Sequence, residues 1–303
     1  MLYITEQEVE QNLTMDDAIN ILKEAFTDFG KGKAMASPRD RIIMDGVVYN
    51  TMPAVWVSKH IAGMKTYIAG KEGAHFVVLV FDTISNDLIA VIEANRLGQV
   101  RTGALPAMVS QMVLKERSQR VSILGSGFQA ETQLQGILEV FDPEWVRVYS
   151  RNYNHAVSFA KRMTEKFGRE VIPSKSVAEA LGDATLITSI TDSRDPIFSA
   201  KDLGEHYHIN LCGANLPMRR EASDDVLYTS DIVIVEHLDQ AMRESAEIMG
   251  LKQLHPRKEI VELKDFILQQ KQGEYGKSVF KSMGIGLEDI AAAYALLKRM
   301  SII

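Results

Sequence analysis

A chain of 303 residues that is 46% apolar and 24% charged has the make-up of an ordinary soluble globular protein, with apolar material for two cores. Its net charge of −6, with both signs interspersed, gives no electrostatic footing for nucleic acid or an anionic membrane. Apolar runs such as Phe76–Phe81 and Ile232–Val235 are strand-sized and too short to span a bilayer, and the N-terminus has no basic leader, so a cytoplasmic protein is expected.

Thr5-x-x-Glu8 predicts a capping box for a short first helix. Thr14 then caps a longer one, with Ala18, Ile21, Leu22, Ala25, Phe26 and Phe29 at helical spacing and Gly30 as the stop. Arg41–Met44 and Val47–Asn50 flank Asp45-Gly46, a strong hairpin signal. Strand-like runs follow at Ile61–Ile68, His75–Asp82 and Leu88–Ile92, so an antiparallel sheet is expected here and not a βαβ unit. Thr102–Leu114 reads as a helix with Leu105, Met108, Val109 and Met112 on one face. From Arg120 strands and helices alternate. The strands are Val121–Leu124, Val146–Ser150, Val171–Ile172, Leu186–Thr191, His208–Cys212 and Ile232–Val235, with amphipathic stretches such as Ala156, Phe159, Ala160, Met163 and Phe167 between them. Such a set is what a dinucleotide-binding sheet needs. A last helix, Leu287–Arg299, places Ile290, Ala293, Tyr294 and Leu297 on one stripe and is expected to pack back on the N-terminal part. The predicted class is α/β: a Rossmann-type doubly wound parallel sheet over 116–284, plus a second α+β domain with an antiparallel sheet built from 1–115 and 285–303.

The chemistry centres on Val121–Ala130. Four mostly apolar residues end in Gly125-Ser126-Gly127, and Ala130 stands at the third glycine's place of a dinucleotide fingerprint. Gly125 lets the chain turn, and Gly127 lets backbone approach a pyrophosphate at the following helix start. An ordinary βα turn is the alternative. The second strand ends in Ser150, Arg151 and Asn152, with no carboxylate for a ribose 2′-hydroxyl. A hydroxyl, a planar cation and an amide suit a phosphate monoester, so NADP(H) is favoured, with NAD(H) possible. Arg101-Thr102-Gly103-Ala104 is expected to begin a helix, where an arginine beside free N–H groups either holds a carboxylate or phosphate or, taken alone, is an ordinary surface residue. Lys65, on a strand face with Gly63 and Tyr67, is either solvated or, if desolvated near a cation, an acid/base. Arg39 alone reads as a solvated loop cation. The seven histidines show no metal spacing, and His206 and His208 are expected to form a structural pair. The single cysteine, Cys212, is expected to be a buried, inert thiol.

Seven blocks in order give these pieces a common meaning: Pro38-Arg39, Met52-Pro53-Ala54, Gly63-Met64-Lys65, Arg101-Thr102-Gly103-Ala104, Gly125-Ser126-Gly127-Phe128-Gln129, Gly213-Ala214-Asn215-Leu216-Pro217 followed by Glu221, and Lys281 through Asp289. The chain resembles the ornithine cyclodeaminase/mu-crystallin family over nearly its whole length. The resemblance implies a Rossmann domain, a homodimer formed through the antiparallel-sheet domain, and chemistry on small amino, imino or keto acids with a nicotinamide cofactor. By resemblance Arg39, Lys65 and Arg101 face the substrate carboxylate, with Lys65 and Arg101 catalytic and Lys65 placed for proton transfer, while Asn50, Met52 and Asn215 complete the substrate pocket. Thr102, Gly125, Ser126, Gly127, Phe128, Gln129, Thr191, Gly213 and Lys281 are implied on the cofactor side, and Ser150-Arg151-Asn152 is similar to the NADP pattern of mu-crystallin. Two departures separate the chain from ornithine cyclodeaminase itself: Asn50 and Asn215 stand where that enzyme has a glutamate and an aspartate for the distal amine, and an amide can neither deprotonate an ammonium nor balance its charge. The expected function is therefore NAD(P)H-dependent reduction of a small cyclic imino acid, or interconversion of a small amino acid and its keto acid. Ornithine cyclodeamination and NADPH-gated binding of a small ligand are the alternatives.

Overall fold

The computed structural model describes residues 1–70, 73–269 and 275–303. Strand β1 (Leu2–Ile4) leads into helix α1 (Glu6–Asn12), where Thr5 and Glu8 close the expected capping box. The Thr14 hydroxyl accepts from the Asp17 amide at the start of α2 (Met15–Gly30), which buries Ala18, Leu22, Ala25 and Phe26 along one stripe. After β2 (Ala34–Ala36), the hairpin of β3 (Asp40–Met44) and β4 (Val47–Trp56) turns on Asp45 and Gly46, at φ 49° and 79°. These are the left-handed angles that match strand twist in a two-residue loop. Strands β5 (Ile61–Gly70), β6 (Gly73–Asp82) and β7 (Leu88–Glu93) complete a sheet of order β1-β7-β6-β5-β4-β2, with β3 beside β4. Among the described residues its pairings are antiparallel except β1 with β7.

Helix α3 (Asn95–Val113) corrects one expectation. It does not begin at Arg101-Thr102. Arg101 lies in its second turn and has no free helix-end amides beside it. The true start is capped from far along the chain, because the Glu6 carboxylate accepts from the Asn95 and Arg96 amides at 2.7 and 2.8 Å.

The alternating segment follows as β8 (Arg120–Leu124), α4 (Ala130–Val140), β9 (Trp145–Tyr149), α5 (Tyr153–Phe167), β10 (Ile172–Ser174), α6 (Val177–Leu181), β11 (Leu186–Ser189), β12 (Tyr207–Leu211), α7 (Asp224–Thr229), β13 (Ile232–Val235), α8 (Leu238–Glu244), α9 (Ala246–Leu254), β14 (Val261–Glu262), α10 (Leu263–Gln269) and β15 (Lys277–Lys281). These strands form a wholly parallel sheet of order β10-β9-β8-β11-β12-β15-β13-β14. The strand order reverses between β8 and β11, which in such sheets is the place for a ligand. The α/β class with a parallel and an antiparallel sheet is as expected, but β14 and β15 were not. β15 is flanked by lysines and shows no apolar run, yet it sits between β12 and β13, with Ser278, Val279, Phe280 and Lys281 fully buried.

Helix α11 (Gly286–Arg299) packs on α2, β4 and β5, with Leu287, Ile290, Leu296 and Leu297 fully buried. Each such side chain contributes about 1.5–3 kcal/mol. By its contacts the chain divides into two units, Met1–Leu105 with Gly284–Ile303, and Pro106–Met283.

His206 and His208 are not a pair. His206 is exposed, whereas His208 is buried between the Ser278 hydroxyl (2.9 Å) and the Asn210 side chain (3.1 Å). Burial pushes the His208 imidazolium down from 6.5 to about 4. The unfolded chain therefore takes up this proton first as the pH falls. Its contribution to stability is complete above pH 6.5 and is lost between there and pH 4. The loss is expected to reach ~3 kcal/mol. The urea midpoint followed by Trp145 fluorescence should fall across that window in the native protein and less so in His208→Gln.

Candidate functional site

The register of the first unit puts Asn50, Met52, Lys65, Phe76 and Val78 on one sheet face. Lys65 is buried, with Nζ 3.1 Å from Asp289 Oδ1 and 5.0 Å from the centre of the Phe76 ring. Arg101 shares that carboxylate oxygen through Nε at 3.1 Å, and its Nη1 donates to Glu288 Oε2 at 2.7 Å. Arg39 is not a solvated loop cation. It is buried, donating from Nη2 to the Gly284 carbonyl (3.3 Å) and lying against Met52 Sδ. Gly284 has φ +74°, and a β-carbon there would stand 2.7 Å from Arg101 Nη1, so only glycine fits. Burial, then the charge of Arg101, pushes the Lys65 ammonium down to about 8 against the opposing pull of Asp289. Two further expected residues lie in the same unit, Asn50 from the substrate side and Thr102 from the cofactor side. Asn50 is buried and accepts from Arg41 Nε at 3.1 Å. Thr102 donates to the Gly98 carbonyl of its own helix.

In the second unit the chain leaves β8 through Gly125, at φ +115°, where a β-carbon would stand 2.4 Å from the Ile190 carbonyl oxygen just beyond β11. At Gly127 a β-carbon would meet no protein atom within 4 Å. That open turn faces the start of α4, whose N-cap, Gln129, makes no side-chain capping bond. Gln129 Oε1 is buried with no hydrogen-bond partner among the described residues, and Phe128 is exposed. Ser126 and Ser150 are half-buried, and Arg151 is exposed. Asn152 caps α5 by accepting from the Asn154 amide at 3.0 Å.

Beyond β11 and β12 lies an arrangement not anticipated from the sequence. The fully buried Glu221 accepts through Oε1 from Ser189 Oγ (2.6 Å), Thr191 N (2.7 Å) and Thr191 Oγ1 (3.0 Å). Its Oε2 accepts from the amides of Gly213 (2.8 Å) and Ala214 (3.1 Å). Glu247 accepts from the Glu221 amide and from Ser245. Lys281, buried at the end of β15, donates to the Ala214 carbonyl at 2.6 Å and stands 3.5 Å from Glu247. Thr191, Gly213 and Lys281 are thus held in one buried network. Asn215 follows it in an exposed loop, and Cys212 is partly exposed, not buried as expected, because β12 ends one residue before it. Asp289 and Glu288 were equally missed as partners of the cations. Their signal was two adjacent acids in the otherwise uncharged run Gly284–Leu297.

Among the described residues no group of three or more His, Cys, Asp or Glu side chains could hold a metal ion, and no helix is long and apolar enough to cross a membrane. A family model described as the ornithine cyclodeaminase/mu-crystallin family matches residues 2–301. A Δ1-pyrroline-2-carboxylate reductase of Bacillus cereus is 27% identical over 99% of this chain and 96% of its own length. An alanine dehydrogenase of Archaeoglobus fulgidus is 26% identical over 96% of this chain and 92% of its own. The solved Δ1-pyrroline-2-carboxylate reductase of Thermococcus litoralis, in complex with NADH and L-proline, superposes with a TM-score of 0.93 at 25% identity, covering 99% of this chain and 98% of its own.

Proposed function

The chain belongs to the ornithine cyclodeaminase/mu-crystallin family, and from that premise we propose that it is an NAD(P)H-dependent oxidoreductase. It reduces the C=N bond of a small cyclic imino acid or interconverts a small amino acid and its keto acid. The observation that carries this reading is the buried cation cluster of the first unit: Lys65 and Arg101 share Asp289, Arg101 also holds Glu288, and Arg39 lies buried against Gly284 and Met52. Buried guanidinium and ammonium groups gathered in one place form a seat for an organic carboxylate. Asn50 supports the same choice, since its amide oxygen is committed to the cation Arg41 and offers no anionic seat for a distal ammonium.

Arg39 and Arg101 hold the carboxylate of the substrate, and the Lys65 ammonium supplies the proton that the imine nitrogen needs, water then restoring it. Asn50 and Met52 lie on the same sheet face as Lys65 and flank the bound acid there. When bound, the reduced nicotinamide supplies the hydride for the imine carbon. The open turn at Gly127 and the uncapped start of α4 fit its pyrophosphate, with Gly125, Ser126, Phe128, Gln129, Thr191, Gly213 and Lys281 as further cofactor-side residues of the same unit. Exposed Arg151, with Ser150 and Asn152 beside it, supports the 2′-phosphate of NADP(H).

The test mixes the protein with NADPH and pyrroline-2-carboxylate and follows the reduced-nicotinamide absorbance. Its loss supports the reading. Silence across cyclic imino acids and α-keto acids with ammonia, or ammonia and proline formed from ornithine without net redox change, overturns it. Arg151→Ala is expected to weaken NADPH binding about tenfold or more while sparing NADH; an equal effect on both cofactors removes Arg151 from the phosphate.

The protein also assembles as a homodimer in this reading. Met35, Ile42, Met44, Val55 and Ile68 stand exposed on the sheet face opposite Lys65, a broad apolar surface. Light scattering should give twice the chain mass of 33.8 kDa, and Ile42→Glu should lower it towards one; a monomer in the native protein refutes the assembly.

A further inference from the structure

The carboxylate of Asp289 is used in an uneven way. Oδ1 accepts from both Lys65 and Arg101, each at 3.1 Å, while Oδ2 is buried with no hydrogen-bond partner among the described residues. Glu288 is differently placed: Oε2 accepts from Arg101 and Oε1 from the Ile285 amide, with no bond to Lys65. The charged and titratable groups around Lys65 are Arg39, Tyr67 at 5.8 Å from its ring centre, Arg101, Glu288 and Asp289, with Arg41 further along the same sheet face. Gly98 of α3 closes the remaining side, since a β-carbon there would lie 3.6 Å from Lys65 Nζ.

We propose that Asp289 is a positioning residue that ties the protonation of Lys65 to occupancy of the carboxylate clamp: it anchors the ammonium beside Arg101, and an incoming organic anion offsets the repulsion that Arg101 exerts on that ammonium, so that anion and lysine proton bind together. This rests on the reductase reading above. In the empty cluster Lys65 loses its proton easily, because burial and Arg101 work against the charge. A carboxylate bound between Arg39 and Arg101 removes that pressure. The ammonium is then present when the imine is, which is when it is needed.

The probe is pyrrole-2-carboxylate, a planar acid with no reducible C=N bond, titrated calorimetrically into the full-length protein. In two buffers of different ionisation heat at a pH near the Lys65 value of about 8, binding to the native protein is expected to take up about half a proton. No uptake overturns the proposal without any variant. The affinity should fall about tenfold per pH unit above that value. In Asp289→Asn the break is expected at least about one unit lower, with affinity at pH ~6 retained or improved, because the cluster gains positive charge. Glu288→Gln, which spares the Lys65 contact, should shift the break by about half a unit or less. A break unmoved in Asp289→Asn, uniform weakening at every pH, or equal shifts in both variants overturns the role of Asp289. Failure of the acid to bind the native protein at any pH ends the reductase reading, and this proposal with it. Binding with a misplaced or unmoved break ends only the proposal.

Discussion

Arg101→Ala is expected to lower kcat/KM by about 30- to 1000-fold, ~2–4 kcal/mol of lost charge-assisted contact to the substrate carboxylate. The structure adds a second cost. Arg101 is the partner of both Glu288 and Asp289, which are wholly buried, so its removal takes a cation from two carboxylates held away from water. Breaking a buried pair from one side costs about 3–5 kcal/mol. A fall in Tm of about 10 °C or more should therefore accompany the kinetic defect. Arg101→Lys separates the two effects. It keeps a cation for the acids and should restore most of the stability, but it lacks the planar fork and should recover only part of the rate. Near-normal kinetics in the alanine variant would remove Arg101 from the clamp.

Glu221→Ala is expected to be the most destabilising single change in the second unit. Five donors converge on this carboxylate: the hydroxyls of Ser189 and Thr191 and the amides of Thr191, Gly213 and Ala214. A buried donor left unsatisfied costs about 1–3 kcal/mol, and even with partial relaxation the sum should exceed ~4 kcal/mol. Differential scanning calorimetry should show a Tm lowered by roughly 10 °C. Binding of the nicotinamide cofactor should weaken in parallel, since the loops after β11 and β12 lose their common anchor. A Tm within about 2 °C of the native value would mean that the network reorganises at little cost.

What could be read from the sequence is what short-range chemistry determines. Thr5 and Glu8 cap α1, Thr14 caps α2, and Asp45-Gly46 turns a hairpin, because each signal and its effect lie within four residues. The glycine turn at 125–127 was legible for the same reason. The start of α3 was not, because its cap is Glu6, 89 positions before Asn95. β15 was hidden because a central parallel strand need not alternate, and Lys277 and Lys281 at its ends leave only a two-residue apolar run although Lys281 is fully buried. The cations Arg39, Lys65 and Arg101 are nominated by the family resemblance, since residue type alone leaves Arg39 as a solvated loop cation. Their partners Glu288 and Asp289 lie 187 or more positions away, and only the fold could pair them.

The same long separations bear on how the protein is made. The acids that steady Lys65 and Arg101 are on α11, and α11 belongs to the first unit. During synthesis the ribosome delivers β4 and β5 early and must then deliver the whole nucleotide-type unit before α11 exists. The parallel sheet can fold as soon as residue 283 has emerged, while the first sheet waits with the face that takes Leu287 and Ile290 uncovered. Chaperone dependence and aggregation of nascent chains should accordingly be greatest in that interval, and the cluster of Lys65, Arg101 and Asp289 is completed last.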